Sequence, residues 1–160
     1  MKKFMALMLL VIMFMACDYA KESLEYKPDI EVVFMNPIGW YTSPFDTAVV
    51  AVIEEIKFVA TNSVDCYLRE VTWEYVDANY DTFYVGAPLA LFAKIEGRVN
   101  PEEVDTTTIE NLALPLQPAR DHLGGDNAAA RAYLHFVAES EYDPEQTDTC
   151  TAWFGIYLLD

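Results

Sequence analysis

The residues able to do chemistry are few, and they are unevenly spread. The densest group lies in ESEYDPEQTD (residues 139–148), where Glu139, Glu141, Asp143, Glu145 and Asp148 place hard oxygen donors close together. Such donors at one end of a domain are candidates for Ca²⁺, although the stretch lacks the central glycine of an EF-hand loop, and a solvated acidic loop is the competing use. A carboxylate pair for glycoside hydrolysis is open to any acidic chain, since separation in space decides it. His122 and His135 are thirteen positions apart with no companion at ligand spacing, which reads as two surface residues. Ser23, Ser43, Ser63 and Ser140 stand in no GxSxG context. Gly124 and Gly125, in ARDHLGGDNA, lack the lysine of a phosphate-cradling loop and read as a turn. The aromatic runs WYTSPF (residues 40–45) and ANYDTFY (residues 78–84) offer either a stacking surface for sugar or peptide or ordinary core and edge packing. The expectation is therefore no catalytic residue and no cofactor.

The first cysteine has a different context. After Met1, Lys2 and Lys3 come eleven uncharged apolar residues, FMALMLLVIMF, and then Met15, Ala16 and Cys17. A positive start, a short apolar span and a small residue before a cut form an export signal. The span is shorter than the roughly 20 residues a bilayer-crossing helix needs, and Asp18 ends it. Phe14, Met15, Ala16 and Cys17 resemble the lipobox of bacterial lipoprotein precursors, which runs Leu, Ala or Ser, Gly or Ala, then Cys. Ala16 and Cys17 match that pattern, while Phe14 and Met15 are bulkier than its usual residues. The resemblance implies a diacylglyceryl group on the Cys17 sulfur, cleavage before it, and a membrane anchor. Each buried methylene contributes about 0.8 kcal/mol, so two or three acyl chains hold a protein where one would not. Asp18 resembles the inner-membrane retention signal of enterobacterial lipoproteins. An ordinary cleaved signal with Cys17 left as a thiol is the alternative.

With Cys17 acylated, Cys66 and Cys150 remain of the three cysteines. An oxidising compartment favours a bridge between them, worth about 4 kcal/mol or slightly more if unstrained; two separate buried thiols are the alternative. Both follow a polar segment, TNSVDC and PEQTDTC, and precede an apolar-aromatic run.

A chain of 160 residues, 53% of them hydrophobic, makes one domain with a substantial core. The formal net charge is −16; losing Lys2 and Lys3 with the signal reduces the 10 basic groups to 8, against 26 acidic ones. Such a body repels nucleic acid and anionic lipid. The expected organisation is a signal peptide over residues 1–16, a lipidated cysteine and polar tether over 17–29, and a folded domain over 30–160. Its place is the bacterial envelope, and its partners are the membrane, through the anchor, and a protein or glycan there.

From residue 30 onward, runs rich in Val, Ile, Thr, Tyr, Phe and Trp are separated by Pro, Gly, Asn and Asp. These predict strands near 30–35, 48–60, 67–76, 82–85, 88–96, 106–116, 131–139 and 149–158. In CTAWFGIYL, Cys150, Ala152, Phe154, Ile156 and Leu158 share one face by the period of two. AVVAVIEEIKFVA slips phase, as a bulge would make it. DNAAARAYLHFVAES (residues 126–140) satisfies a helix start on propensity and a buried strand on alternation, and the strand is preferred. Eight short strands without βαβ spacing predict an all-β antiparallel sandwich, and their order, with Trp73 in the third strand, resembles an immunoglobulin-like Greek key. The Cys, Trp, Cys spacing of antibody domains is absent. The expected role is a non-catalytic binding or structural module, with a carboxylate-dependent glycosidase or a calcium-dependent adhesion domain as alternatives.

Overall fold

The computed structural model describes residues 26–43, 45–100, 102, 105–124 and 128–159. Cys17 and the expected signal and tether up to residue 25 lie outside them. Within the described residues, nine strands and one short helix follow in order: β1 (Ile30–Asn36), β2 (Gly39–Thr42), β3 (Val50–Ala60), β4 (Cys66–Val76), β5 (Thr82–Val85), β6 (Leu89–Ile95), β7 (Thr107–Pro115), α1 (Gln117–His122), β8 (Ala129–Ser140) and β9 (Thr147–Leu158). They build the expected all-β sandwich. One sheet has the order β1-β3-β7, the other β2-β9-β8-β4-β5, with β6 also on β4. Every pairing is antiparallel except β2 with β9.

Alternation decides which side chains fill the space between the sheets. Ala130, Ala132, Leu134, Phe136 and Ala138 of β8 are buried, as are Phe154 and Ile156 of β9, so both strands present their even positions inward. The stretch with competing helix and strand signals is thus a strand from Ala129 onward. Across the core, the Phe58 ring of β3 meets the Phe136 ring edge-on, with centroids 4.8 Å apart and planes at 74°. That geometry suits the positive edge and negative face of aromatic rings.

The phase slip foreseen in β3 is present: its buried positions pass from Ala51 and Ile53 to Ile56 and Phe58. β7 slips with it, from Leu114 and Leu112 to the partly buried Ile109, and Asn111 between them has φ 57°. The extra residue of a bulge lies instead in β1, between Val32 and Phe34. A second irregularity, between Leu68 and Glu70, turns Arg69 outward although it shares parity with Val71, Trp73 and Tyr75.

Two elements were not expected from the sequence. β2 enters the second sheet beside β9 after a cis Asn36–Pro37 bond, having left β1 in the first. Helix α1 carries Pro118 in its first turn and is held down by Arg120, whose Nη1 donates to the carbonyls of Asp46 (2.8 Å) and Ala48 (2.6 Å).

Candidate functional site

The six-stranded sheet buries one face and leaves the other open, and aromatic side chains gather at one end of the open face. β9 contributes Trp153 and Tyr157 from its odd positions, β8 contributes Arg131 and Tyr133, and β2 contributes Tyr41. The register explains the grouping: Tyr133 lies opposite Trp153, and Arg131 opposite Gly155, between the two β9 aromatics. Tyr80 reaches the same place from the turn after β4. That turn is fixed by Asp77, whose Oδ1 accepts the backbone N–H groups of Asn79 (2.8 Å) and Asp81 (3.1 Å), and Tyr80 sits in it with φ 67°.

The rings are tied together, yet remain open to solvent. Tyr41 and Tyr157 lie with centroids 5.2 Å apart. The Arg131 guanidinium lies 5.5 Å from the Trp153 ring and 6.0 Å from the Tyr80 ring. Tyr80 is 70% exposed, Tyr41 64% and Trp153 47%. Gly155 makes room for this arrangement, because a Cβ there would lie 2.5 Å from the Tyr157 hydroxyl and 2.7 Å from its ring. The Tyr157 ring therefore folds back over Gly155, with Gly39 also beneath its edge. Between the Asp77–Tyr80 turn and the aromatics lies a cleft of about 230 Å³.

Electrostatics set Arg131 apart. Hydrogen bonding to Tyr133 first, and then Tyr80, raises its already high pKa, so it is a permanent cation. Among the described residues no carboxylate forms an ion pair with it. Asp77 borders the cleft, but its carboxyl is occupied: the Asp81 N–H first, then the Asn79 N–H and His122, hold it below the usual carboxylate range. A second, apolar groove of about 280 Å³ lies at the seam of the two sheets between β1 and β9, lined by Val33, Phe34 and Ile38 with Trp153 at its border.

The acidic stretch does not converge on a cation. Glu139 pairs with Arg69 at 3.1 Å and Glu141 with Lys94 at 2.8 Å. Asp143 Oδ1 accepts the Glu145 N–H at 3.2 Å, which makes a turn. Asp148 Oδ2 accepts the Ile30 N–H at 3.1 Å and ties β1 to β9. Cationic side chains and backbone N–H groups thus take the oxygens a metal would need, and no group of three or more His, Cys, Asp or Glu among the described residues could hold one.

Cys66 and Cys150 are free thiols, and the expected bridge is not formed. Both face the core, but Cys66 pairs with Ser140 and Cys150 with Phe136, four residues apart along the intervening β8. That offset is roughly 13 Å at the rise of a strand, well beyond the Cα separation of about 7 Å that a disulfide spans. Burial, chiefly, pushes both thiols up to about 12, with Asp148 adding to each.

His135 is on the outer face as expected, against Thr151 at 3.1 Å. His122 stacks on Phe83 at 3.9 Å and meets Asp77 at 3.4 Å. Of the two aromatic runs weighed as stacking surfaces, each delivers one residue to the cleft end: Tyr41 and Tyr80. Trp40, Phe83 and Tyr84 pack against the core instead. Arg131, Trp153 and Tyr157 belong to no motif in the sequence. The signal for two of them was present in CTAWFGIYL, whose outward positions alternate as cleanly as its inward ones.

No protein family matches this sequence, and no curated protein does. Among solved structures, the X-ray structure of the Northeast Structural Genomics Consortium target SoR45 is similar over 82% of this chain and 83% of that chain, with 13% sequence identity and a TM-score of 0.41.

Proposed function

We propose that this protein is an exported, non-catalytic binding module, tethered at the bacterial envelope by acyl chains on Cys17, and that it engages its partner through the aromatic end of the six-stranded sheet. One observation carries the binding assignment: Arg131, Trp153, Tyr157, Tyr41 and Tyr80 form a contiguous open surface around a cation that pairs with no carboxylate among the described residues. Tyr, Trp and Arg are the side chains that dominate contact surfaces, because they bring large rigid area and polar ends together. The cleft borders one carboxylate, Asp77, and that one is occupied by its own turn, which favours a binding surface over acid–base chemistry. The anchor is supported by the lipobox-like run before Asp18 and by the polar segment that follows.

The test separates face from anchor. A chain beginning at Asp18 carries neither the apolar segment nor the acylation site, and it should still sediment with envelope fragments through the aromatic face. Adding Trp153→Ala and Tyr157→Ala in that background should leave the chain in the supernatant with an unchanged circular dichroism spectrum. Equal sedimentation of the two chains would overturn the assignment of the face.

A further inference from the structure

The aromatic face sits on the flat of a sheet, and that placement restricts what it can recognise. The outward residues of β8 and β9 belong to strands hydrogen-bonded to neighbours, β8 on both sides and the end of β9 between β8 and β2. Their backbone N–H and C=O groups are consumed, so an extended peptide cannot add to the sheet here by main-chain pairing. Recognition must come from rings and from the arginine.

The rings are spaced for a chain of rings. Trp153 and Tyr157 leave the same face four residues apart, roughly 13 Å between their Cα atoms, and the Tyr157 ring returns part of that distance. Tyr157 lies back over Gly155, and Tyr41 packs beside it to widen that end. The apolar C–H face of a pyranose stacks on such open aromatic surfaces, and two separated stacking positions suit successive residues of an oligosaccharide better than a single enclosed side chain. Between them, Arg131 lies across from Gly155.

Arg131 adds the charge preference. Its planar fork suits a carboxylate bidentately. Its only partners among the described residues are aromatic rings and phenols, in a chain carrying 26 acidic residues against 10 basic ones. The excess of negative charge elsewhere disfavours a densely charged polyanion. The geometry points to an oligosaccharide bearing isolated carboxylates, a uronic-acid-containing glycan, with sugar faces on Trp153 and Tyr157 and a carboxylate on Arg131. This rests on the proposed binding face and names its ligand class.

The experiment titrates the full chain with glucuronosyl-xylobiose, a trisaccharide bearing one carboxylate, with its methyl ester, and with an N-acetylated aromatic amino acid as a peptide-terminus carboxylate. Calorimetry and tryptophan emission report binding. The expected result is that the acid trisaccharide binds at least about tenfold more tightly than the ester, as a charged hydrogen-bonded pair should make it. Arg131→Gln should remove that difference, Arg131→Lys should restore part of it, and Trp153→Ala should weaken both sugars. Equal binding of acid and ester, preference for the amino acid, or no binding of the acid trisaccharide at millimolar concentration would each overturn the assignment. Envelope sedimentation that still depends on Trp153 and Tyr157 would then leave the face standing with a different ligand.

Discussion

The Arg131 guanidinium lies 5.5 Å from the Trp153 ring because the two residues are diagonal neighbours across the β8–β9 pair, with Arg131 opposite Gly155 and Tyr133 opposite Trp153. A glycine facing an arginine leaves the space into which Tyr157 folds. The open aromatic surface is thus a product of register in β8 and β9 as much as of residue type.

Gly155→Ala tests that dependence. The new Cβ would come within 2.5–2.7 Å of Tyr157 side-chain atoms, and the far end of that side chain can swing away. The expected stability cost is about 1 kcal/mol or less, as for an overpacked site that can relax, while envelope sedimentation of the chain beginning at Asp18 falls as the Tyr157 platform is lost. Calorimetric melting and sedimentation together check this, and undiminished sedimentation would contradict it.

Gly86→Ala should behave in the opposite way. Gly86 donates its N–H to the Trp73 carbonyl at 2.8 Å, and a Cβ there would lie 2.1 Å from the indole ring. Trp73 is 8% exposed and packed in the core, so it has nowhere to retreat. The expected loss is about 1–3 kcal/mol, the range for overpacking a filled interior. It is read from the urea midpoint, with envelope sedimentation unchanged below the transition.

The two core thiols give a pH prediction with a definite sign. Each is raised from an ordinary value of 9.0 to about 12, chiefly by burial. The fold therefore holds the protons more tightly than the unfolded chain does. The resulting stabilisation is complete below pH 9 and is lost as pH rises through the window up to about 12. Melting temperature should fall across that window, and less so in a Cys66→Ser, Cys150→Ser chain. At pH 8 an alkylating reagent should modify neither residue in the folded protein and both after unfolding. Rapid labelling of the native protein at pH 8 would contradict the burial.

What the sequence disclosed followed from local period. The inward face of β9, the strand in the helix-prone stretch before Ser140, and the phase slip of β3 are all visible within a dozen residues. What escaped depends on distant partners. β2 is four residues long and pairs with a strand more than a hundred positions later. Helix α1 is a single short element with Pro118 in its first turn, held by Arg120 on carbonyls 72 and 74 positions back. The acidic stretch resembles a ligand set until Arg69 and Lys94 are seen to occupy two of its members. The cysteines share a flanking pattern, but register places them four residues apart on either side of β8. Tyr41 and Tyr80 lay in runs already weighed as stacking surfaces, whereas Arg131 joins them only through cross-strand pairing.

The most direct measurement is oxidative footprinting of aromatic side chains in intact envelopes, compared with the purified chain. A partner seated on the open face should protect Trp153, Tyr157, Tyr41 and Tyr80 in the envelope. Tyr26 and Tyr142, which are exposed and pack on each other at 5.5 Å away from the cleft, should be labelled equally in both samples. Equal labelling of Trp153 and Tyr157 in the two samples would contradict the assignment of this face as the contact surface.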